Sequence, residues 1–147
     1  MAIWFEDLKI GNKYKTKSSI FFQYEVKIFS EVAYDRNPLH LDSEYARKRF
    51  PFRKMIVHGE LIASRMTALG ALLIGYDPIM LHKKTETDFL APLCVGDAFF
   101  CEYEVIDKKI SDHKRYGEVI FNVKLIKKEL DILVAEGTRE LVIFKKP

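Results

Sequence analysis

The sequence predicts an α+β fold, one long apolar helix wrapped by a curved antiparallel sheet, and three observations carry that prediction. Between Glu60 and Ile74, the residues Ile62, Met66, Leu69 and Leu73 recur at i, i+4, i+7 and i+11, one stripe of a helix. After Pro78 the apolar period drops to two and stays there for most of the remaining chain, as a half-buried sheet requires. The chain has 147 residues, 48% of them apolar and eleven of them Phe, which is enough for one bulky core without disulfide or metal support.

Taken in order, a short strand is expected at Lys13–Lys17. A first helix follows over Glu25–Ala33, where Val26, Phe29 and Ala33 share a face. Asp42 or Ser43 can cap a second, short helix over Glu44–Lys48, with Glu44 in the favourable first turn. In the long helix over Glu60–Ile74, Leu61, Ala68 and Leu72 are apolar as well, so more than one face should be buried. The small residues Ala63, Gly70, Ala71 and Gly75 permit close packing on it. Thr85, Thr87 and Phe89 open a strand that breaks at Pro92, and Gly96-Asp97 makes a turn. Alternation then marks strands over Phe99–Ile106 and Val119–Leu125. A final strand runs over Ile132–Phe144, after a tight connection at Glu129–Asp131. No repeat, linker or low-complexity stretch divides residues 1–147, which read as one domain. A helix enclosed by five or six antiparallel strands is the hot dog arrangement, and its free sheet edge calls for a second copy, a homodimer.

Composition removes several classes of function. The net charge is +3, with Lys and Arg interleaved with Asp and Glu, so the basic stripe of a nucleic-acid binder is missing. A mild positive bias still suits an anionic small molecule. The longest apolar run, Ala68–Tyr76, is nine residues, against ~20 for a membrane span. Cys94 and Cys101 form no Cys-x-x-Cys pair and read as reduced thiols of a cytoplasmic protein. Gly-x-Ser-x-Gly, Gly-x-x-x-x-Gly-Lys and His-Glu-x-x-His motifs are all missing, and the four His are far apart in sequence. Neither a cofactor nor a metal is therefore expected.

The segment Asp35-Arg36-Asn37-Pro38-Leu39-His40 sets a carboxylate and an imidazole five positions apart around a proline. Proline disfavours helical backbone at the preceding residue, so the first helix should stop near Asp35 and a fixed turn should carry the chain to His40. Such a turn can aim both side chains at one water, and an imidazole with a reference pKa of about 6.5 can take its proton. The same residues also suit a purely structural turn, with Asp35 capping backbone N–H groups. Asn37 either initiates the turn or orients a catalytic partner. Gly59 stands where the long helix begins, where free N–H groups and the positive dipole end can hold an oxygen gaining charge. His58 can pack under that turn, and Ser64 and Thr67 can either back-bond to the helix or line a pocket.

The Asp35–His40 segment followed by Val57-His58-Gly59 resembles the MaoC-like (R)-specific enoyl-CoA hydratase family. Phe5-Glu6-Asp7-Leu8-Lys9-Ile10-Gly11 and Phe89-Leu90-Ala91-Pro92-Leu93-Cys94-Val95-Gly96-Asp97 are similar to segments of that family too, so the resemblance covers nearly all of the chain. It implies a hot dog fold and a hydro-lyase acting on an acyl-CoA thioester. Asp35 and His40 would activate a water that adds to C3 of a trans-2-enoyl thioester. The Gly59 N–H would hold the thioester oxygen, with Asn37 supporting the turn. Tyr34, His58 and Thr67 would line the pocket. Acyl carrier protein is the alternative carrier, and thioester hydrolysis or simple acyl-CoA binding are the alternative activities. The family's pattern usually has Gly before the Asp where this chain has Tyr34, which puts the shape of the pocket mouth in question.

Overall fold

A computed structural model describes residues 1–147. Five strands form one antiparallel sheet: β1 (Lys13–Lys15), β2 (Ile79–Phe89), β3 (Phe99–Lys109), β4 (Tyr116–Lys127) and β5 (Ile132–Phe144). Their order across the sheet is β1-β3-β4-β5-β2. The helices are α1 (Gln23–Ala33), α2 (Pro38–Leu41), α3 (Ser43–Lys48) and α4 (Gly59–Ile74). This is the α+β hot dog arrangement, with α4 laid against the inner face of the sheet.

The β4–β5 ladder runs from Tyr116↔Phe144 to Lys127↔Ile132 and the β3–β4 ladder from Phe99↔Lys127 to Lys109↔Glu118. Register shifts at Val105/Asp107, Leu125/Ile126 and His82/Lys84 add the local twist that curves the sheet. Val119, Phe121, Val123 and Leu125 of β4 are fully buried, and they meet Ile62, Met66 and Ile74 of α4 in one core. Each such side chain contributes about 1.5–3 kcal/mol on burial. Gly70 lets the Tyr103 ring lie directly on the helix, since a Cβ there would collide with the phenol. The Tyr103 hydroxyl donates to the Met66 carbonyl.

Three features differ from the sequence expectation. First, β2 begins at Ile79 rather than Thr85. Its polar run His82-Lys83-Lys84 hides the alternation, because most of this edge strand is exposed and its pairing with β5 alone holds it. Second, α4 is not enclosed on all sides within this chain: Ser64, Ala68 and Leu72, at successive i+4 positions, form an exposed face. Third, the turn expected to carry the chain to His40 is helical, α2. Pro38 occupies its first position, where a missing N–H costs nothing, and Asn37 caps it. No helix is long and apolar enough to cross a membrane.

Candidate active site

The site is built where α1 ends. The helix closes on Tyr34 in the left-handed conformation (φ 60°), a C-terminal cap that turns the chain sharply. Asp35 and Arg36 follow, and the Asn37 side-chain oxygen accepts from the Leu39 N–H at 3.0 Å to start α2. Two helix ends thus fix the spacing between Asp35 and His40. The strap Met55–His58 lies beside them. Its Ile56 N–H donates to the Leu39 carbonyl at 3.2 Å and its Val57 N–H to the Leu93 carbonyl at 2.8 Å.

His40 is buried and His58 more so, at 2% exposure. The Nδ1 of His40 is 2.7 Å from the Ile56 carbonyl. A carbonyl can only accept, so Nδ1 carries the proton and the lone pair of neutral His40 sits on Nε2. That atom faces the Asp35 carboxylate, 3.9 Å from Oδ2. The gap is too long for a direct hydrogen bond and suits one water bonded to both. The Asp35 side chain is 52% exposed, so it opens to solvent on its other side.

His58 lies under His40, with ring centroids 3.7 Å apart and planes inclined by 29°. Its Nε2 donates to the Asp35 carbonyl at 3.0 Å and lies 3.1 Å from the Ser30 hydroxyl on α1. Its Nδ1 is buried with no partner. Burial lowers the His58 pKa below 6.5, opposed in part by its bond to the Asp35 backbone. A neutral His58 therefore supports His40 without adding a second positive charge. One ligating atom from each of Asp35, His40 and His58 lies within 4.8 Å of the others, the closest approach to a metal-ligand set in the chain. Two of the four imidazole nitrogens are already committed, to the Ile56 and Asp35 carbonyls.

Gly59, directly after His58, opens the 16-residue α4, and its N–H has no acceptor in the chain. At this end the dipole of α4 is positive. A Cβ on Gly59 would stand 3.1 Å from the Phe89 ring, so glycine permits close approach from the sheet side. A cleft of about 340 Å³ opens beside Gly59, lined chiefly by Phe52, Ile56, Ile62, Phe89, Leu90 and Leu93. Its lining is chiefly apolar.

Of the residues singled out from sequence, the structure brings Asp35, His40 and His58 together, with Gly59 next to His58 in the chain; of these four, Gly59 lines the apolar cleft. Asn37 is adjacent but exposed, its side-chain oxygen used by Leu39, so it shapes the turn and does not reach the cleft. Tyr34, His58 and Thr67 are not among the residues that line this cleft. Tyr34 is 78% exposed, because the left-handed cap throws its side chain outward beside Arg36. His58 is packed beneath His40, as one reading of the sequence allowed. Thr67 is turned to the sheet, where its hydroxyl donates to the Ala63 carbonyl and accepts from Arg139 Nε at 2.8 Å. Ser64 back-bonds to the Glu60 carbonyl at 2.9 Å on the exposed face.

Sequence reasoning missed the fully buried Arg139, which also donates to the carbonyls of Glu86, Thr138 and Ala63 and meets no carboxylate. Burial lowers its pKa. The signal was present: Arg139 shares strand parity with the inward Leu141 and Ile143. The cleft residues Phe52 and Phe89 were also missed, since nothing local marks an aromatic as a wall.

Comparison with known proteins fits this geometry. The MaoC like domain family matches residues 6–127. The chain is 38% identical over 101 residues to the (R)-specific enoyl-CoA hydratase of Aeromonas caviae, covering 68% of this chain and 72% of that protein. It is 26% identical over 136 residues to the mitochondrial 3-hydroxyacyl-[acyl-carrier-protein] dehydratase of Arabidopsis thaliana, covering 92% and 78%. The solved structure of an R-hydratase from Pseudomonas aeruginosa superposes with a TM-score of 0.83 at 25% identity, covering 99% of this chain and 88% of that one. A Mycobacterium tuberculosis protein with a double hotdog fold superposes with a TM-score of 0.85 at 16% identity, this chain spanning 45% of it, a likeness of fold alone.

Proposed function

We propose, from the premise that this chain belongs to the MaoC-like domain family, that it is a hydro-lyase acting on acyl thioesters, and specifically that it reversibly hydrates trans-2-enoyl-CoA to (R)-3-hydroxyacyl-CoA. The observation that carries the reading is the Nε2 lone pair of His40 facing Asp35 Oδ2 across 3.9 Å, its Nδ1 fixed on the Ile56 carbonyl.

Asp35 and His40 are the catalytic residues of this proposal. A water held between them forms its O–C bond to C3 while giving up a proton to the pair. The electron pair of the C2=C3 bond moves toward the thioester carbonyl, whose oxygen gains negative charge. The free Gly59 N–H, at the positive end of α4, stabilises that oxygen. Return of the proton to C2 completes addition of one water. His58 holds the Asp35 backbone and the His40 ring, and Asn37 holds α2. The apolar cleft beside Gly59 takes the acyl chain.

The test is the fall in enoyl-thioester ultraviolet absorbance with trans-2-enoyl-CoA, read against Asp35→Asn. Turnover in the wild type and its loss in the variant are expected; equal turnover in both would overturn the assignment. The same chemistry on acyl carrier protein is the second reading, favoured by likeness to the Arabidopsis dehydratase over 92% of the chain. Matched enoyl groups on the two carriers decide between them, and release of free thiol would instead identify a thioesterase. The homodimer belongs to this proposal: the outer edge of β2 is unpaired and Met80, Leu81 and Phe89 on that strand are exposed. Light scattering of the purified protein should give twice the 17.2 kDa chain mass.

A further inference from the structure

Residues 47–54 read Arg47-Lys48-Arg49-Phe50-Pro51-Phe52-Arg53-Lys54: five cations in eight positions with no acid, in a chain whose whole net charge is +3. Lys48, Arg53 and Lys54 make no ion pair. Arg47 pairs with Glu44, which lines the second cleft below, at 2.8 Å, so that pair adds no net charge and the unpaired cations of the rim are Lys48, Arg53 and Lys54, with Arg49 over the Tyr45 ring. Phe50 stands in the middle of these cations, 93% exposed, an arrangement with no packing purpose in the chain.

The segment is concave. Arg47, Lys48, Phe50, Phe52 and Arg53 line one cleft of about 320 Å³, and Arg47, Arg53, Lys54 and Met55 line a second of about 360 Å³. Arg47 and Arg53 belong to both. Phe52 belongs to the first and also to the apolar cleft beside Gly59. Phe52 thus stands between the apolar cleft that Gly59 lines and the paired basic clefts with their open aromatic face.

We infer that these clefts bind the nucleotide end of the CoA carrier, with the unpaired Arg53 and Lys54 on its phosphates and the Phe50 ring under its adenine. The inference rests on the thioester-hydratase reading above for the reactive end of the ligand. A forked guanidinium matches phosphate oxygens in pairs, and a 3′-phosphate alone carries about −1.5 to −2 charges. A bare aromatic among cations is the platform on which a purine stacks. Small concavities of this size suit a nucleotide better than the acidic helix of a carrier protein, which would need a broad open face. CoA as the carrier follows from that fit.

The test measures binding of adenosine 3′,5′-bisphosphate, which has no acyl or thioester part, to the purified protein by calorimetry at two salt concentrations. Salt-weakened binding is expected, with tenfold or greater loss in Arg53→Gln/Lys54→Gln and several-fold loss in Phe50→Ala. The second measurement is the ratio of kcat/KM for an enoyl-CoA to that for the same enoyl group on pantetheine. A ratio of tenfold or more in the wild type, collapsing toward one in the double variant, supports the inference. No bisphosphate binding together with a ratio near one overturns it, as does a dependence on Arg53 and Lys54 seen only with acyl carrier protein as the carrier. Bisphosphate binding without any hydration would leave the nucleotide site standing and sink the hydratase reading instead.

Discussion

The rings of His40 and His58 lie face to face, 3.7 Å between centroids, with His58 at the bottom of the stack and its Nδ1 buried without a partner. Two stacked imidazoles cannot both be cations cheaply, and burial already disfavours the charged form of His58. In the folded protein His58 therefore takes up its proton at lower pH than in the unfolded chain. Below pH 6.5 the unfolded state binds a proton that the folded state does not, so stability is full above that value and is lost as pH falls through and below it. We expect the urea midpoint to drop between about pH 7 and pH 5, and His58→Asn to flatten that slope. A wild-type midpoint independent of pH across the window would contradict a neutral His58.

Removing either member of the proposed acid/base pair should cost rate and spare the fold. Asp35 is half exposed, and His40, though buried against His58 and bonded to the Ile56 carbonyl, lies outside the apolar core cluster. Asp35→Asn and His40→Ala are each expected to lower kcat by about 10²–10⁴-fold, the usual worth of a placed proton-transfer group. Thermal midpoints within a few degrees of wild type would accompany the loss. Unchanged kcat in either variant counts against proton transfer by the residue it replaces.

Tyr34 should be a site of stored strain. A side chain in the left-handed region costs about 1–2 kcal/mol relative to glycine, which Tyr34 accepts at φ 60° while its ring makes no buried contact. Tyr34→Gly is expected to raise stability by about 0.5–1 kcal/mol after the entropy that glycine adds to the unfolded chain. Turnover should be unaffected, since the ring points away from the cleft. Lost activity in this variant would show that the tyrosine takes part in substrate entry.

Gly59 separates backbone chemistry from side-chain space. Gly59→Ala keeps the N–H but puts a methyl 3.1 Å from the tip of the Phe89 ring, which lines the same cleft and must give by a few tenths of an ångström. KM should rise several-fold, more for long acyl chains than for short ones, while kcat on the shortest substrate changes little. An equal loss across all chain lengths would point to the helix start itself being disturbed.

Arg139 is the largest fully buried side chain, a cation satisfied only by neutral acceptors from α4, β2 and β5. Truncating it removes a donor from the Glu86, Thr138 and Ala63 carbonyls and leaves a cavity. Arg139→Ala should lower stability by about 3 kcal/mol or more, read as a shift in denaturant midpoint. A shift under about 1 kcal/mol would mean that water replaces the guanidinium.

How much of the fold and site was legible in the sequence depended on how local the cause is. The α4 stripe, the alternation of β3 to β5 and the Asn37-Pro38 turn are fixed by neighbours in sequence, through helical spacing, side-chain parity and the restricted backbone before proline. Asp35, His40 and Gly59 were nameable for the same reason, each lying at a helix end that its own neighbours set. What only the tertiary structure decided is everything that depends on distant segments meeting. The Ile56 carbonyl that fixes the His40 tautomer is 16 residues away, and His58, which supports its ring, lies further still along the chain. Thr67 is drawn from the cleft to Arg139, 72 residues on, because a buried guanidinium must find acceptors wherever the fold brings them. Sequence spacing sets which faces exist; burial of unpaired polar groups, which can be judged only in three dimensions, sets what they face.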